Sequence, residues 1–293
     1  MTESSLVHYQ SADQWEHCLH VFSSDQAGDS VPVILLFPAM GVKSPYYFPL
    51  AQHFNRQGIH FICTDLRGHG PMHPAASRTN NFGYHELVHQ DWPSAIEKVR
   101  ELYPKNPVFL MGHSLGAQLS ACYSACYPNQ VDGLIWVAAG NVFYKAYRKK
   151  WRVLLGTHLL WLASAVMGSL PGKQLGFGGK EARHILRDWA FNARTGRYRL
   201  KQSDKQQIID GKMSQVKTPI FAMSFDGDRY SPHCSMQSLL DKFPIAPKHH
   251  VKISALELGI EKLDHFNWVK NGDKLVPKIA DWAHAIAKHH SAA

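Results

Sequence analysis

Apolar positions along the chain fall into two patterns. Short, mostly apolar runs bounded by glycine, proline or polar residues occur at residues 31–37, 60–64, 107–111, 131–138, 219–225 and 250–256. Runs of this length between turn residues read as strands, 107–111 as a buried one. Segments with helical spacing lie between them, at about residues 46–56, 92–103, 115–127 and 234–243. After the last run, Leu275, Ile279, Trp282 and Ile286 recur at i, i+4, i+7 and i+11, which places them on one face of a C-terminal helix. This alternation predicts an α/β fold with a mostly parallel central sheet flanked by helices.

The alternation stops between residues 140 and 217, a gap far longer than an ordinary loop. An insertion of helical character is expected there, with residues 1–139 and 218–293 forming the core. It contains a nearly all-apolar stretch, 153–170, preceded by Arg148, Lys149, Lys150 and Arg152. A glycine-rich turn follows (Pro171, Gly172, Gly176, Gly178, Gly179), then a helix signalled by Ala182, Ile185, Trp189 and Ala193, with no strand signal. As a helix the apolar stretch would reach only about 27 Å. It is interrupted by Gly156, Thr157, His158, Ser164 and Gly168, so it is marginal as a membrane span.

Residues 1–13 are polar and lack the basic and apolar regions of a secretory signal. The five cysteines (Cys18, Cys63, Cys122, Cys126, Cys234) are odd in number and show no C-x-x-C spacing, so a reducing, cytoplasmic setting is expected. A formal charge of +9 favours contact with anionic surfaces or substrates, but the cations form no long block. No nucleotide-binding glycine pattern, redox motif or nucleic-acid module is evident. Neither a cofactor nor a nucleic-acid partner is expected.

Gly112-His113-Ser114-Leu115-Gly116 matches G-x-S-x-G, preceded by the run 107–111 and followed by a helix start with small residues. A nucleophilic serine on a strand–turn–helix elbow needs that order. A serine hydroxyl is a weak nucleophile and requires a base held by a third group. In elbow-type sites the chain order is serine, acid, histidine. Asp228, just after the run 219–225, is the favoured acid, with Asp226 its rival. His265 lies after the last run and before the final helix, where a loop can lower an imidazole onto the serine; His249, His250 and His284 are alternatives. The backbone amides of Met40 and Leu115 are the candidate oxyanion donors.

A different chemistry has its own signature in His85-Glu86-Leu-Val-His89, which matches the H-E-x-x-H pattern of zinc proteases. No third histidine follows, Pro93 would disturb the helix one turn on, and Glu97 or Glu101 would have to complete the ligands. The bland alternative is an ordinary helix or loop before the elbow strand.

Over nearly the whole chain, the first 25 residues and the insertion matching least, these residues resemble the α/β-hydrolase superfamily. Asp65-Leu-Arg-Gly-His-Gly70 looks like the D-x-R-G-x-G turn of these enzymes. Ala39-Met40-Gly41 and His265-Phe266 are similar to a little-characterised bacterial group of serine hydrolases near the aminopeptidase-like branch. Met72 stands where the early turn usually has serine, and Asp264 where glycine usually precedes the histidine. The resemblance implies a Ser114–His265–Asp228 triad and a lid over it formed by the insertion. Hydrolysis of a small-molecule carboxylic ester through an acyl-enzyme is the first expectation. Amide or aminopeptide cleavage, acyl transfer and a non-catalytic binding module follow it. The apolar insertion adds an expected acyl group in the substrate and peripheral membrane contact.

Overall fold

The computed structural model describes residues 4–26, 28–71, 73–172 and 179–290. Two antiparallel strands, β1 (Ser5–Gln10) and β2 (Glu16–Phe22), open the chain, followed by β3 (Val33–Phe37), α1 (Phe48–Arg56) and β4 (His60–Thr64). One turn of helix, α2 (Tyr84–Glu86), runs through a π-turn (Leu87–Asp91) into α3 (Trp92–Leu102); β5 (Val108–His113), α4 (Leu115–Cys126) and β6 (Gly133–Val137) follow. Next come α5 (Lys150–Met167), the hairpin of β7 (Ser169–Pro171) and β8 (Lys180–Ala182), α6 (Arg183–Thr195), the hairpin of β9 (Arg199–Gln202) and β10 (Lys205–Ile208), and α7 (Asp210–Met213). The chain closes with β11 (Ile220–Phe225), α8 (His233–Leu240), β12 (Lys248–Ile253) and α9 (Gly272–His290).

Eight strands form one sheet in the order β1-β2-β4-β3-β5-β6-β11-β12. From β4 to β12 neighbours run parallel, and the β1–β2 hairpin adds an antiparallel edge. Alternate residues of the central strands bury against opposite helical layers. Leu35, Leu110 and Trp136 pack with Trp92, Leu119 and Met236 on one side. Ile34, Phe109 and Ile135 pack with Leu50, Phe54 and Ile279 on the other. Burial on both faces is why these strands read as unbroken apolar runs.

Two elements depart from the sequence reading. The β1–β2 hairpin carries no continuous apolar run, because β1 is an edge strand with mostly exposed side chains. Segment 140–217, expected to hold no strands, contains two hairpins whose strands are three or four residues long. Strands so short leave no periodicity to read. Ala182 ends β8 rather than lying in α6. Gly176 and Gly178 of the glycine-rich turn, and Met72, lie outside the described residues. Among the described residues, no helix is long and apolar enough to cross a membrane.

Segment 140–217 is tied to the core at buried polar points. His69 Nε2 lies 3.1 Å from the Glu181 carboxylate, both side chains being buried. Burial works to lower the His69 pKa, but the Glu181 charge beside it outweighs burial and holds it above the usual histidine value. The Tyr84 amide donates to Asp188 at 3.3 Å, and Arg187 and Arg199 close on the same carboxylate.

Candidate active site

β5 ends at His113 and α4 begins at Leu115, so the reversal from strand to helix falls on Ser114. Its backbone is held at φ 52° and ψ −112°, where a side chain costs roughly 1–3 kcal/mol. The turn is so tight that its flanks admit no side chain. A Cβ on Gly112 would lie 2.2 Å from the Ala117 amide nitrogen, and one on Gly116 would lie 2.2 Å from the Phe37 carbonyl oxygen. The G-x-S-x-G spacing is thus a steric requirement of this elbow.

The loops after β11 and β12 bring two further side chains to the elbow. His265 Nε2 is 3.0 Å from Ser114 Oγ, and His265 Nδ1 is 2.8 Å from Asp228 Oδ2. Asp228 is buried, and its other oxygen accepts the amides of Tyr230 and Ser231, each at 2.8 Å. With Nδ1–H donating to the carboxylate, Nε2 is free to accept the serine proton. Tyr230 and Phe266 flank the imidazole, with ring centroids 5.2 and 4.8 Å from it. Asp264 caps the turn that carries His265: its Oδ1 accepts the amides of Phe266 and Asn267 at 3.0 and 2.9 Å. Although burial alone would raise its pKa, these amides and Lys262 hold it below the usual carboxylate value.

Asp226 points elsewhere. Its largely exposed carboxylate pairs with His233 Nε2, and His233 Nδ1 meets Ser224 Oγ at 2.6 Å. The alternative histidines are also engaged away from the elbow: His250 Nε2 meets Ser224 Oγ at 2.7 Å, His249 stacks on Phe221, and His284 donates to the Gln57 carbonyl.

Met40 and Leu115 both line the cavity above Ser114. Neither backbone amide has a hydrogen-bond acceptor among the described residues. Sequence reasoning missed the residues beneath them. The Ala39 amide donates to Tyr47 Oη at 3.0 Å, Tyr47 O–H donates to His113 Nδ1 at 2.7 Å, and His113 Nε2–H donates to the His265 carbonyl at 2.8 Å. Burial, together with the neighbouring His265, pushes the His113 pKa far below the usual value, which keeps the ring neutral. The variable second position of the elbow motif gave no sign of this role.

The cavity holds about 250 Å³. Val153, Gly156 and Leu160 of α5, Leu170 of β7, and Leu186 and Trp189 of α6 form much of its wall. Gln118, Thr157, Arg152 and Arg229 add polar groups, and no carboxylate side chain is among the described lining residues.

The H-E-x-x-H residues lie on the α2 and π-turn segment. Glu86 accepts the Gly83 amide at 2.7 Å, so it caps its own helix. His89 Nδ1 meets Tyr127 Oη at 2.8 Å, and burial beside His85 and Lys212 lowers its pKa to about 4. Glu101 pairs with Lys98. Among the described residues, no group of three or more histidine, cysteine or acidic side chains is arranged to hold a metal ion.

A mostly parallel sheet with a serine elbow after its central strand defines the α/β hydrolases. The sequence profile described as serine aminopeptidase S33 matches residues 28–250, and the chain belongs to that family. It is 30% identical over 119 residues to protein phosphatase methylesterase 1 of Candida albicans, a stretch covering 40% of this chain and 32% of that protein. It is 32% identical over 120 residues to the proline iminopeptidase of Neisseria gonorrhoeae, covering 40% and 36%. The matches therefore span about a third of these relatives' own lengths. The crystal structure of a monoacylglycerol lipase from Paleococcus ferrophilus superposes with a TM-score of 0.64 at 14% identity, over 92% of this chain and 99% of that one. That likeness is one of fold.

Proposed function

We propose that this hydrolase cleaves a small carboxylic ester with an apolar acyl group, using Ser114 as nucleophile. The observation that supports this most is the hydrogen-bonded chain Ser114–His265–Asp228 at the floor of an apolar cavity. Ser114 Oγ attacks the ester carbonyl while His265 Nε2 takes its proton, and Asp228 steadies the imidazolium that forms. The free amides of Met40 and Leu115 receive the oxyanion. His265 returns the proton to the leaving alcohol, and water repeats the sequence on the acyl-enzyme to release the acid. No cofactor takes part. Segment 140–217 acts as a lid, since α5, β7 and α6 roof the cavity. Glycines at 168, 172 and 179 give it hinges.

An ester is favoured over a peptide N-terminus by the charges at the wall. A free α-ammonium needs an anionic partner, and the described lining residues include two arginines, Arg152 and Arg229, and no acid, Asp228 lying buried beneath His265 outside the lining. Acyl transfer to an alcohol or amine would use the same residues.

Labelling with a fluorophosphonate, with the site mapped by mass spectrometry, tests the reading. Stoichiometric label on Ser114, abolished in Ser114→Ala and indifferent to a zinc chelator, is expected. A p-nitrophenyl ester series from acetate to laurate should then be cleaved faster than proline or alanine naphthylamides. Absence of label on folded protein would overturn the serine mechanism and leave a binding module or metal chemistry at His85 and His89. Faster naphthylamide cleavage would make the protein an aminopeptidase.

A further inference from the structure

The helix α5 is apolar nearly all round, and a helix of that composition is ordinarily covered on every side. Only one side is covered here. Val153, Gly156, Thr157 and Leu160 face the cavity, and Ser164 is buried. Opposite them, Trp151, Leu155, Leu159, Leu162 and Val166 follow at spacings of three or four residues. They are 67, 59, 64, 56 and 66% exposed, forming one continuous stripe along the helix.

Charge says what covers it. Between Asp132 and Glu181 the chain carries seven lysines and arginines and no acidic side chain. Five of these cations, Lys145, Arg148, Lys149, Lys150 and Arg152, are exposed at the N-terminal end of α5, around Trp151. An apolar stripe ending in a tryptophan within a cluster of cations matches the layering of a bilayer surface, with phosphates outermost and acyl chains beneath. A second copy of the chain would instead bring these cations against their own equivalents across a two-fold axis. Spanning is not required, since α5 has 18 residues and the other side of the helix is occupied by the cavity.

We propose that the outer face of α5 docks on an anionic phospholipid bilayer, with the helix lying in the plane of the interface and its inner face roofing the cavity. Docking is independent of the bond that the site breaks. It places the cavity next to the layer where apolar acyl compounds partition.

Vesicle flotation of the full chain tests this, using phosphatidylcholine alone and phosphatidylcholine mixed with phosphatidylglycerol. The wild type and Ser114→Ala should bind the mixed vesicles, bind the neutral ones far less, and be released by high salt. Lys149→Glu with Lys150→Glu should weaken binding by roughly thirty-fold or more. Leu155→Ser, Leu159→Ser and Leu162→Ser combined should weaken it by at least about ten-fold. All these variants should keep the wild-type circular dichroism, and apart from Ser114→Ala the wild-type turnover of a short soluble ester. Failure of the wild type to bind mixed vesicles, or undiminished binding by the folded variants, would overturn the proposal. So would a dimer in sedimentation velocity that the leucine substitutions dissolve, because the stripe would then be covered by a second copy. Vesicle binding without Ser114 labelling would leave docking standing and remove the serine mechanism.

Discussion

The Tyr47 hydroxyl and the His113 ring, 2.7 Å apart, connect the two halves of the site. One end of the chain they form is the Ala39 amide, next to the candidate oxyanion donor Met40; the other is the carbonyl of His265. Because His113 is neutral, its single Nε2–H is committed to that carbonyl.

Tyr47→Phe keeps the ring and removes the link. The Ala39 amide and His113 Nδ1 would be left buried without partners, at about 1–3 kcal/mol each. A lower Tm and a roughly ten-fold fall in kcat with little change in KM are expected. Thermal unfolding and steady-state kinetics on one ester measure both, and an unaltered kcat would show that the link does not position the site.

The two acids near the end of β11 should separate cleanly. Asp228→Asn removes the carboxylate facing His265 Nδ1 and should lower kcat by about 10³–10⁴-fold. Asp226→Asn breaks only the contact with His233 and should stay within about two-fold of wild type. Equal losses in both would mean that neither carboxylate orients the histidine.

Strain at the elbow can be read from two inactive variants. Ser114→Ala and Ser114→Gly both lose Oγ, but only glycine accepts φ 52° and ψ −112° without a steric cost. The glycine variant should unfold later in denaturant, by about 1 kcal/mol. Equal midpoints would indicate that the elbow stores no strain.

The His69–Glu181 contact should make stability depend on pH. The folded pKa of His69 is raised, so its contribution is complete below the unfolded value of about 6.5 and is lost as pH rises through the folded value. The difference in Tm between wild type and His69→Gln should therefore be largest in mild acid and shrink on the alkaline side. A difference that grows with pH would contradict the ion pair.

Much of the sheet was legible because its central strands are buried on both faces, leaving runs such as residues 33–37 and 133–137 with no polar interruption. The edge hairpin of β1 and β2 lacked that signal, and the short hairpins around α6 were below the length at which alternation can be seen. In the site, Ser114 was legible because the elbow is a local steric problem solved by Gly112 and Gly116. Tyr47 and His113 were not, since their partnership joins residues 66 positions apart.

Sequence by itself determined the local chemistry: where strands turn into helices, where the elbow serine sits, and that a nearly all-apolar stretch, 153–170, follows a cluster of cations. Tertiary structure alone decided which of two nearby carboxylates meets His265, because Asp226 and Asp228 differ only in the direction the loop gives them. It also decided which side of α5 roofs the cavity and which faces out. Apolar spacing states that a face seeks cover, while only the packing of distant segments determines whether the protein itself supplies it.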